Sequence, residues 1–251
     1  MTNLLNKLAI TGAVLCLGLT EANLAQAATI TATLTADNFY GLYYGQADST
    51  GLTFVGRNEA ASSHSPDTTP PIPSSCSGPF QWSCPEAWEF NVNPGDYLYV
   101  LAWDGGLVQS WIGEFKLPDG RSLLSNISDW EYTIASGNNP GYGGPLPPLA
   151  TVAADIAGAT WASPQASAPQ GTDPWFTIPG ISSSAQFIWH DTLASDSTSD
   201  NHYVIFRTKN PVVPSTSENI PEPSSAVGLL AISTLGAASI LKKKLTSSRK
   251  A

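Results

Sequence analysis

Apolar and polar residues alternate through the middle of the chain with the period of a β-strand. Residues 29–35 alternate threonine with Ile30, Ala32 and Leu34. Six further short runs are alternating or wholly apolar, at residues 39–44, 88–92, 97–103, 111–115, 187–189 and 203–206. Turn signals such as Pro94-Gly95-Asp96 and Pro118-Asp119-Gly120 separate some of them. Short strands joined by turns predict an all-β fold, a β-sandwich or jelly roll.

One stretch, residues 149–161, is rich in alanine and is the candidate helix. Gly158 weakens this prediction, because glycine disfavours the helix interior. Residues 138–148 and residues 60–83 are predicted to be loops because glycine, proline and serine dominate them.

The chain carries a second apolar pattern near its C-terminus, at residues 226–241. These 16 residues have no charge and would span roughly 24 Å as a helix, slightly less than a hydrocarbon core of about 30 Å. Ser224 and Leu245 can extend the helix, and lysine side chains can snorkel. The pattern predicts a transmembrane helix at about residues 224–241. Lys242, Lys243 and Lys244 follow it and mark the cytoplasmic side.

Residues 1–27 have the pattern of a secretory signal peptide. Lys7 gives the positive start, residues 8–19 give the apolar core, and Ala25-Gln26-Ala27 fits the small-x-small cleavage pattern. Cleavage is therefore expected between Ala27 and Ala28. A leader and a C-terminal anchor together place everything between them outside the cytoplasm.

The triplet Pro221-Glu222-Pro223 stands directly before the apolar segment and the basic tail. The flanking prolines keep this triplet extended, because each fixes φ and lacks an N–H donor. The order of triplet, apolar helix and basic tail over residues 221–250 resembles the PEP-CTERM sorting signal of Gram-negative bacteria.

That resemblance implies a substrate of exosortase, a membrane protease-transpeptidase, and a link to exopolysaccharide and biofilm. The expected route is an inner-membrane-anchored precursor that is cleaved and then reaches the cell surface or the extracellular matrix. A tail anchor that is never cut is the alternative interpretation of the same segment.

The organisation expected from these signals is a signal peptide at 1–27, a β-sandwich ectodomain at 28–210, a Pro/Ser linker at 211–220 and the sorting signal at 221–251. Residues 35–43, which read TADNFYGLY, and residues 95–104, which read GDYLYVLAWD, are similar to two stretches of galactose-binding-like β-sandwiches. This second resemblance covers residues 29–115. It implies the architecture and assigns no ligand site.

Charge is distributed unevenly along the chain. The net charge is −9 for the whole chain, +5 for the tail after Pro223 and zero for residues 1–27, so residues 28–223 carry a net charge of about −14. An acidic surface disfavours nucleic acid and anionic lipid, so no nucleic-acid partner is expected. It suits solubility or the binding of cations.

Two cysteines follow the leader, Cys76 and Cys84, in a segment rich in proline and serine. An exported protein reaches an oxidising compartment, so a disulfide between them is expected. Closing so small a loop would contribute about 2.5 kcal/mol on the chain-entropy estimate.

Aromatic side chains are the candidate contacts to a polysaccharide, because their rings can stack on sugar faces. Trp82, Trp161 and Trp175 lie among proline, serine and glutamine and are expected to be exposed. The tryptophans within strand patterns are expected in the core: Trp88, Trp103, Trp111 and Trp189.

Acidic residues offer two candidate calcium clusters, for which turn formation is the preferred interpretation. One contains Asp191, Asp196 and Asp200, and the other contains Asp37, Asn38 and Asp104. No metal or other cofactor is expected.

The chain has no G-x-S-x-G, no H-E-x-x-H and no phosphate-binding glycine loop, so it is predicted to be non-catalytic. The alternative is an extracellular glycosidase or esterase that uses a carboxylate pair, Glu86 and Glu89, or a site around His190.

Overall fold

The computed structural model describes residues 27–58, 81–105, 108–141, 144–191 and 201–214. The predicted signal sequence before residue 27, the Pro-Glu-Pro triplet, the apolar segment after it and the lysine cluster lie outside these ranges, so what the sequence indicates for them stays a prediction. No helix within the described ranges is both long enough and apolar enough to cross a membrane.

Eleven strands are present in the described residues, together with one α-helix and a short 3₁₀ turn at Gln81–Ser83. The strands are β1 (Ala28–Asp37), β2 (Phe39–Gly45), β3 (Thr53–Arg57), β4 (Glu86–Val92), β5 (Tyr97–Trp103), β6 (Ser110–Lys116), β7 (Ser122–Leu124), β8 (Trp130–Asn138), β9 (Gln165–Pro169), β10 (Gln186–Trp189) and β11 (His202–Thr208). Each of the seven runs that the sequence pattern singled out forms a strand.

The strands form two antiparallel sheets, which confirms the predicted all-β sandwich. One sheet has the order β4-β1-β6-β10-β9, with β7 paired to β6, and the other has the order β3-β2-β5-β11-β8. The consecutive strands β1 and β2 therefore belong to different sheets and are joined through Asn38. The predicted turns at Pro94-Gly95 and Pro118-Asp119-Gly120 are present, and Gly95 and Gly120 adopt the positive φ that such turns require.

Alternation along β1 directs its apolar side chains into the space between the sheets, where Ile30, Leu34 and Ala36 are almost completely buried. They pack in an inner core with residues from both sheets, including Tyr40, Val100, Trp111, Trp130, Ile188 and Phe206. The four tryptophans expected in the core, Trp88, Trp103, Trp111 and Trp189, are all buried.

Both sheets are also covered on their outer faces. The helix α1 (Leu149–Ala157) packs on the five-stranded sheet through Val152 and Ile156, which lie one turn apart on the same face. This helix falls within the predicted helical stretch, and Gly158 follows its last residue. Residues 170–185 cover the six-stranded sheet and contribute Ile178 and Ile181 to a third apolar cluster.

The sandwich continues past its predicted end at residue 210. The amide of Val212 donates to the carbonyl of Asp96 at 2.9 Å, and the amide of Gly95 donates to the carbonyl of Val213 at 2.8 Å. Val212 is buried in the inner core. The first residues of the predicted linker therefore pack against the domain.

Candidate functional site

The three tryptophans predicted to be exposed glycan contacts have different environments. Trp175 is only 1% exposed, so the prediction of its exposure was wrong. Its indole N–H donates to Oδ2 of Asp37 at 2.7 Å, and its ring stacks on Phe187 with centroids 4.6 Å apart. The proline and glutamine residues near Trp175 are typical of an irregular segment. They did not reveal that this irregular segment folds back onto a sheet.

Trp161 is half-buried, and one face of its ring is occupied. The guanidinium of Arg207 lies 4.0 Å from the ring centroid and also lies 5.1 Å from the ring of Tyr97. Glu131 fixes this guanidinium by accepting hydrogen bonds from its Nε at 2.8 Å and its Nη2 at 2.6 Å. Trp82 is also half-buried and packs against the cluster on the outer face of the six-stranded sheet.

Polar side chains meet at the end of the sandwich where β1 passes into β2. Asp37 is buried, and its two carboxylate oxygens accept hydrogen bonds from Trp175 and, at 2.7 Å, from Nδ2 of Asn38. Oδ1 of Asn38 accepts from the amide of Gly105 at 2.5 Å, which connects this turn to the segment after β5. Burial raises the pKa of Asp37 to about 7, nearby Asp104 adds to the increase, and the bond from Trp175 opposes it.

Neither acidic cluster presents a metal centre in the described part of the chain. Asp37 uses both oxygens in hydrogen bonds within the protein. Within the described ranges, no three or more His, Cys, Asp or Glu side chains are arranged so that they could hold a metal ion. Asp196 and Asp200 lie outside those ranges, and Asp191 lies beside His190 with 3.7 Å between Oδ2 and Nε2.

The two glutamates of the hydrolase alternative lie on opposite faces of β4. Glu86 is 1% exposed and faces the inner core, whereas Glu89 is exposed, because residues three apart on a strand point in opposite directions. The hydroxyl of Tyr40 donates to Oε2 of Glu86 at 3.0 Å and accepts from the indole N–H of Trp88 at 2.8 Å. These two carboxyl groups therefore cannot flank one glycosidic bond.

Of the two cysteines in the predicted disulfide, Cys84 lies within the described ranges. Cys84 is buried just before β4. Cys76 lies outside the described ranges, so the pairing stays a prediction.

The described residues also form an aromatic groove that the sequence analysis did not identify. It lies where β3 and β4, the edge strands of the two sheets, run side by side, and its volume is about 480 Å³. We call it the β3–β4 groove, and its lining comprises Tyr44, Thr53, Phe54, Val55, Ala87, Trp88, Glu89 and Phe90. Tyr44 and Phe90 stack with centroids 5.7 Å apart and an interplanar angle of 15°.

The groove was missed because β3 was not predicted. Thr53–Arg57 has no clear alternation, and it ends with a glycine and an arginine. The close packing of Gly56 against Trp88 brings the two edges together, since a Cβ at position 56 would lie 2.0 Å from the Trp88 ring. The aromatic residues at positions 44 and 90 were visible in the sequence, but their stacking depends on how the two sheets pack at this edge.

Comparisons of the chain with models of known protein families, with curated proteins and with solved structures find no match.

Proposed function

We propose that this chain is an exported, non-catalytic protein of the cell surface or extracellular matrix, which exosortase recognises and cleaves at its C-terminal tail. The observation that carries the proposal is the order of Pro221-Glu222-Pro223, a charge-free apolar segment and a lysine cluster in the last 31 residues. Prolines on both sides of a glutamate favour an extended backbone, and an extended segment suits binding in the cleft of a membrane enzyme.

The sandwich is compatible with cleavage at both predicted positions. β1 begins at Ala28 and pairs with β4 on one side and β6 on the other, so loss of the leader removes no residue of the sheet. At the other end, the last contacts described above involve Val212 and Val213, eight residues before the triplet. Cleavage within residues 221–225 would thus release the whole sandwich from the membrane segment.

Association with exopolysaccharide is the expected role of the released domain. The acidic balance of residues 28–223 favours solubility outside the cell. The form of the hydrolase alternative that uses Glu86 and Glu89 requires them to act together, and their positions on opposite faces of β4 give that form no support. The site around His190 remains a hypothesis.

The test is the intact mass of the protein recovered from its own host, combined with a map of its C-terminal peptides. We expect a chain that begins at Ala28 and ends within residues 221–225. Replacing both prolines of the triplet, Pro221→Ala with Pro223→Ala, should leave the chain at full C-terminal length in the membrane fraction. Pro214→Ala, at an exposed proline seven residues earlier, is the matched control and should be processed normally.

A parent chain that ends at Ala251 and sediments with membranes would contradict the proposal. The protein would then be a tail-anchored domain. Normal processing of the double proline variant would instead show that the triplet is not the recognised element.

A further inference from the structure

The β3–β4 groove has the dimensions and the chemistry of a ligand site. Its volume of about 480 Å³ falls within the range of about 300–1,000 Å³ that is typical of ligand pockets. It is open to solvent along the sandwich edge rather than a closed cavity, so a unit of a polymer can reach it from outside. The rings of Tyr44 and Phe90 remain half-buried there, whereas the ring of Phe54 packs against Tyr43 in the outer cluster of the five-stranded sheet.

The lining combines rings with a few polar groups. The hydroxyl of Thr53 and the carboxylate of Glu89 are on exposed residues at the edges of the groove, while the rings lie deeper. A pyranose unit has the complementary arrangement, with C–H groups on its faces and hydroxyl groups around its rim. Its C–H groups can pack against the electron-rich ring faces while its hydroxyls meet the polar rim.

The charge at the groove restricts which polysaccharide fits. Glu89 is the one charged side chain among the described residues that line it, and residues 28–223 as a whole are strongly acidic. A polyuronate would be repelled, whereas a neutral chain would not.

We infer that the β3–β4 groove binds a neutral polysaccharide chain, with Phe90 and Tyr44 as its aromatic contacts. This assigns the exopolysaccharide contact to the edge of the sandwich and rests on the proposed function for the source of the ligand. The proposed function and the groove inference can fail separately. Sorting is tested by the mass of the C-terminus, and groove binding is tested by the affinity for a sugar.

The experiment is isothermal titration calorimetry of the purified protein with cellohexaose and chitohexaose, which are neutral, and with an alginate hexamer, which is anionic. The protein should bind at least one neutral oligosaccharide at least tenfold more tightly than alginate. Ala87→Arg introduces a long side chain at an exposed position on the groove wall and removes no core contact, so it should weaken binding tenfold or more. Ala154→Arg makes the same exchange at an exposed position of α1 and should bind like the parent.

A second pair of variants tests the rings themselves. Phe90→Ala should also weaken binding tenfold or more. Tyr132→Ala removes a half-buried ring that packs against the same inner core from β8, at the far edge of its sheet, and should retain the parent affinity. Ala87→Arg keeps the inference testable if Phe90→Ala fails to fold.

Three results would overturn the inference. The first is no binding of either neutral oligosaccharide at millimolar concentration. The second is parent-like affinity in Ala87→Arg. The third is a dimer of the protein that Ala87→Arg dissociates while no sugar binds, which would assign the groove to a second copy of this chain.

Discussion

Replacing Asp37 by asparagine should flatten the dependence of stability on pH between pH 5 and pH 7. Burial raises the pKa of Asp37 from an ordinary 3.8 to about 7 in the folded protein. The folded protein therefore holds a proton that the unfolded chain has already released in this range. The stabilising contribution of this group is complete below the unfolded pKa and is lost as the pH rises through 7.

The size of the effect follows from the pKa difference. One pKa unit corresponds to about 1.4 kcal/mol, so the complete loss is about 4 kcal/mol. Roughly 2 kcal/mol of that loss falls between pH 5 and pH 7, where the folded form is mainly protonated and the unfolded form is ionised. The side-chain amide of the Asp37→Asn variant does not titrate, so this part of the slope should disappear.

The assay is urea unfolding followed by tryptophan fluorescence at pH 5, 6, 7 and 8. The variant should be less stable than the parent at pH 5 by about 1–3 kcal/mol, because its amide nitrogen faces the N–H of either Trp175 or Asn38. The two proteins should become similar near pH 8. Asp48→Asn is the control, since Asp48 is exposed and a hydrogen bond from the Thr50 backbone lowers its pKa, so it stays ionised throughout this range.

Equal slopes for the parent and for Asp37→Asn between pH 5 and pH 7 would contradict a raised pKa of Asp37 in the folded protein. The same conclusion would follow if the nuclear magnetic resonance chemical shift of the Asp37 carboxyl carbon changed with a midpoint near pH 4. Either result would mean that Asp37 is better solvated than its position beneath Trp175 indicates.

Two further predictions concern packing. Gly56→Ala should lower the unfolding free energy by about 3 kcal/mol in the same urea assay, because the new Cβ would displace the Trp88 ring from a distance of 2.0 Å. Gly158→Ala meets its nearest neighbour at 3.4 Å and should stay within about 1 kcal/mol of the parent, so equal losses in both variants would contradict the packing argument. Arg207→Met should lower the unfolding free energy by roughly 1–2 kcal/mol and shift the fluorescence of Trp161 to longer wavelength, because it removes the cation from the ring. An unchanged spectrum would show that the guanidinium does not cover the ring in solution.

The periodicity of the sequence predicted the strands that have one clear pattern. Residues 29–35 of β1 alternate strictly, and residues 97–103 of β5 are continuously apolar because both faces of that strand are buried. The four strands β3, β7, β8 and β9 were missed. In β8, Glu131, Ser136 and Asn138 interrupt the apolar pattern, since this strand lies at the edge of its sheet and is paired on one side.

Burial within irregular segments could not be predicted from local composition. Trp175 was expected to be exposed because its neighbours are those of a loop, yet its ring fills space over the six-stranded sheet. The buried environment of Asp37 could not be predicted from its neighbours either, because Trp175, which donates to its carboxylate, is 138 positions away in the chain. The wrong prediction for Trp175 and the missing one for Asp37 have one cause, which is that sequence neighbours determine backbone conformation while distant segments determine burial.

The position of the aromatic groove follows from the way the sandwich covers its faces. The helix α1 covers one sheet and residues 170–185 cover the other, and the tryptophans close to these covers are occupied by contacts within the protein. Among the described residues, β3 and β4 are where half-buried aromatic rings line a groove. A glycan that requires aromatic contacts should therefore approach the edge of the sandwich rather than one of its faces. Trp161→Ala tests the outer face of the five-stranded sheet, because it should leave binding unchanged if the edge binds the sugar and should weaken binding if that face does.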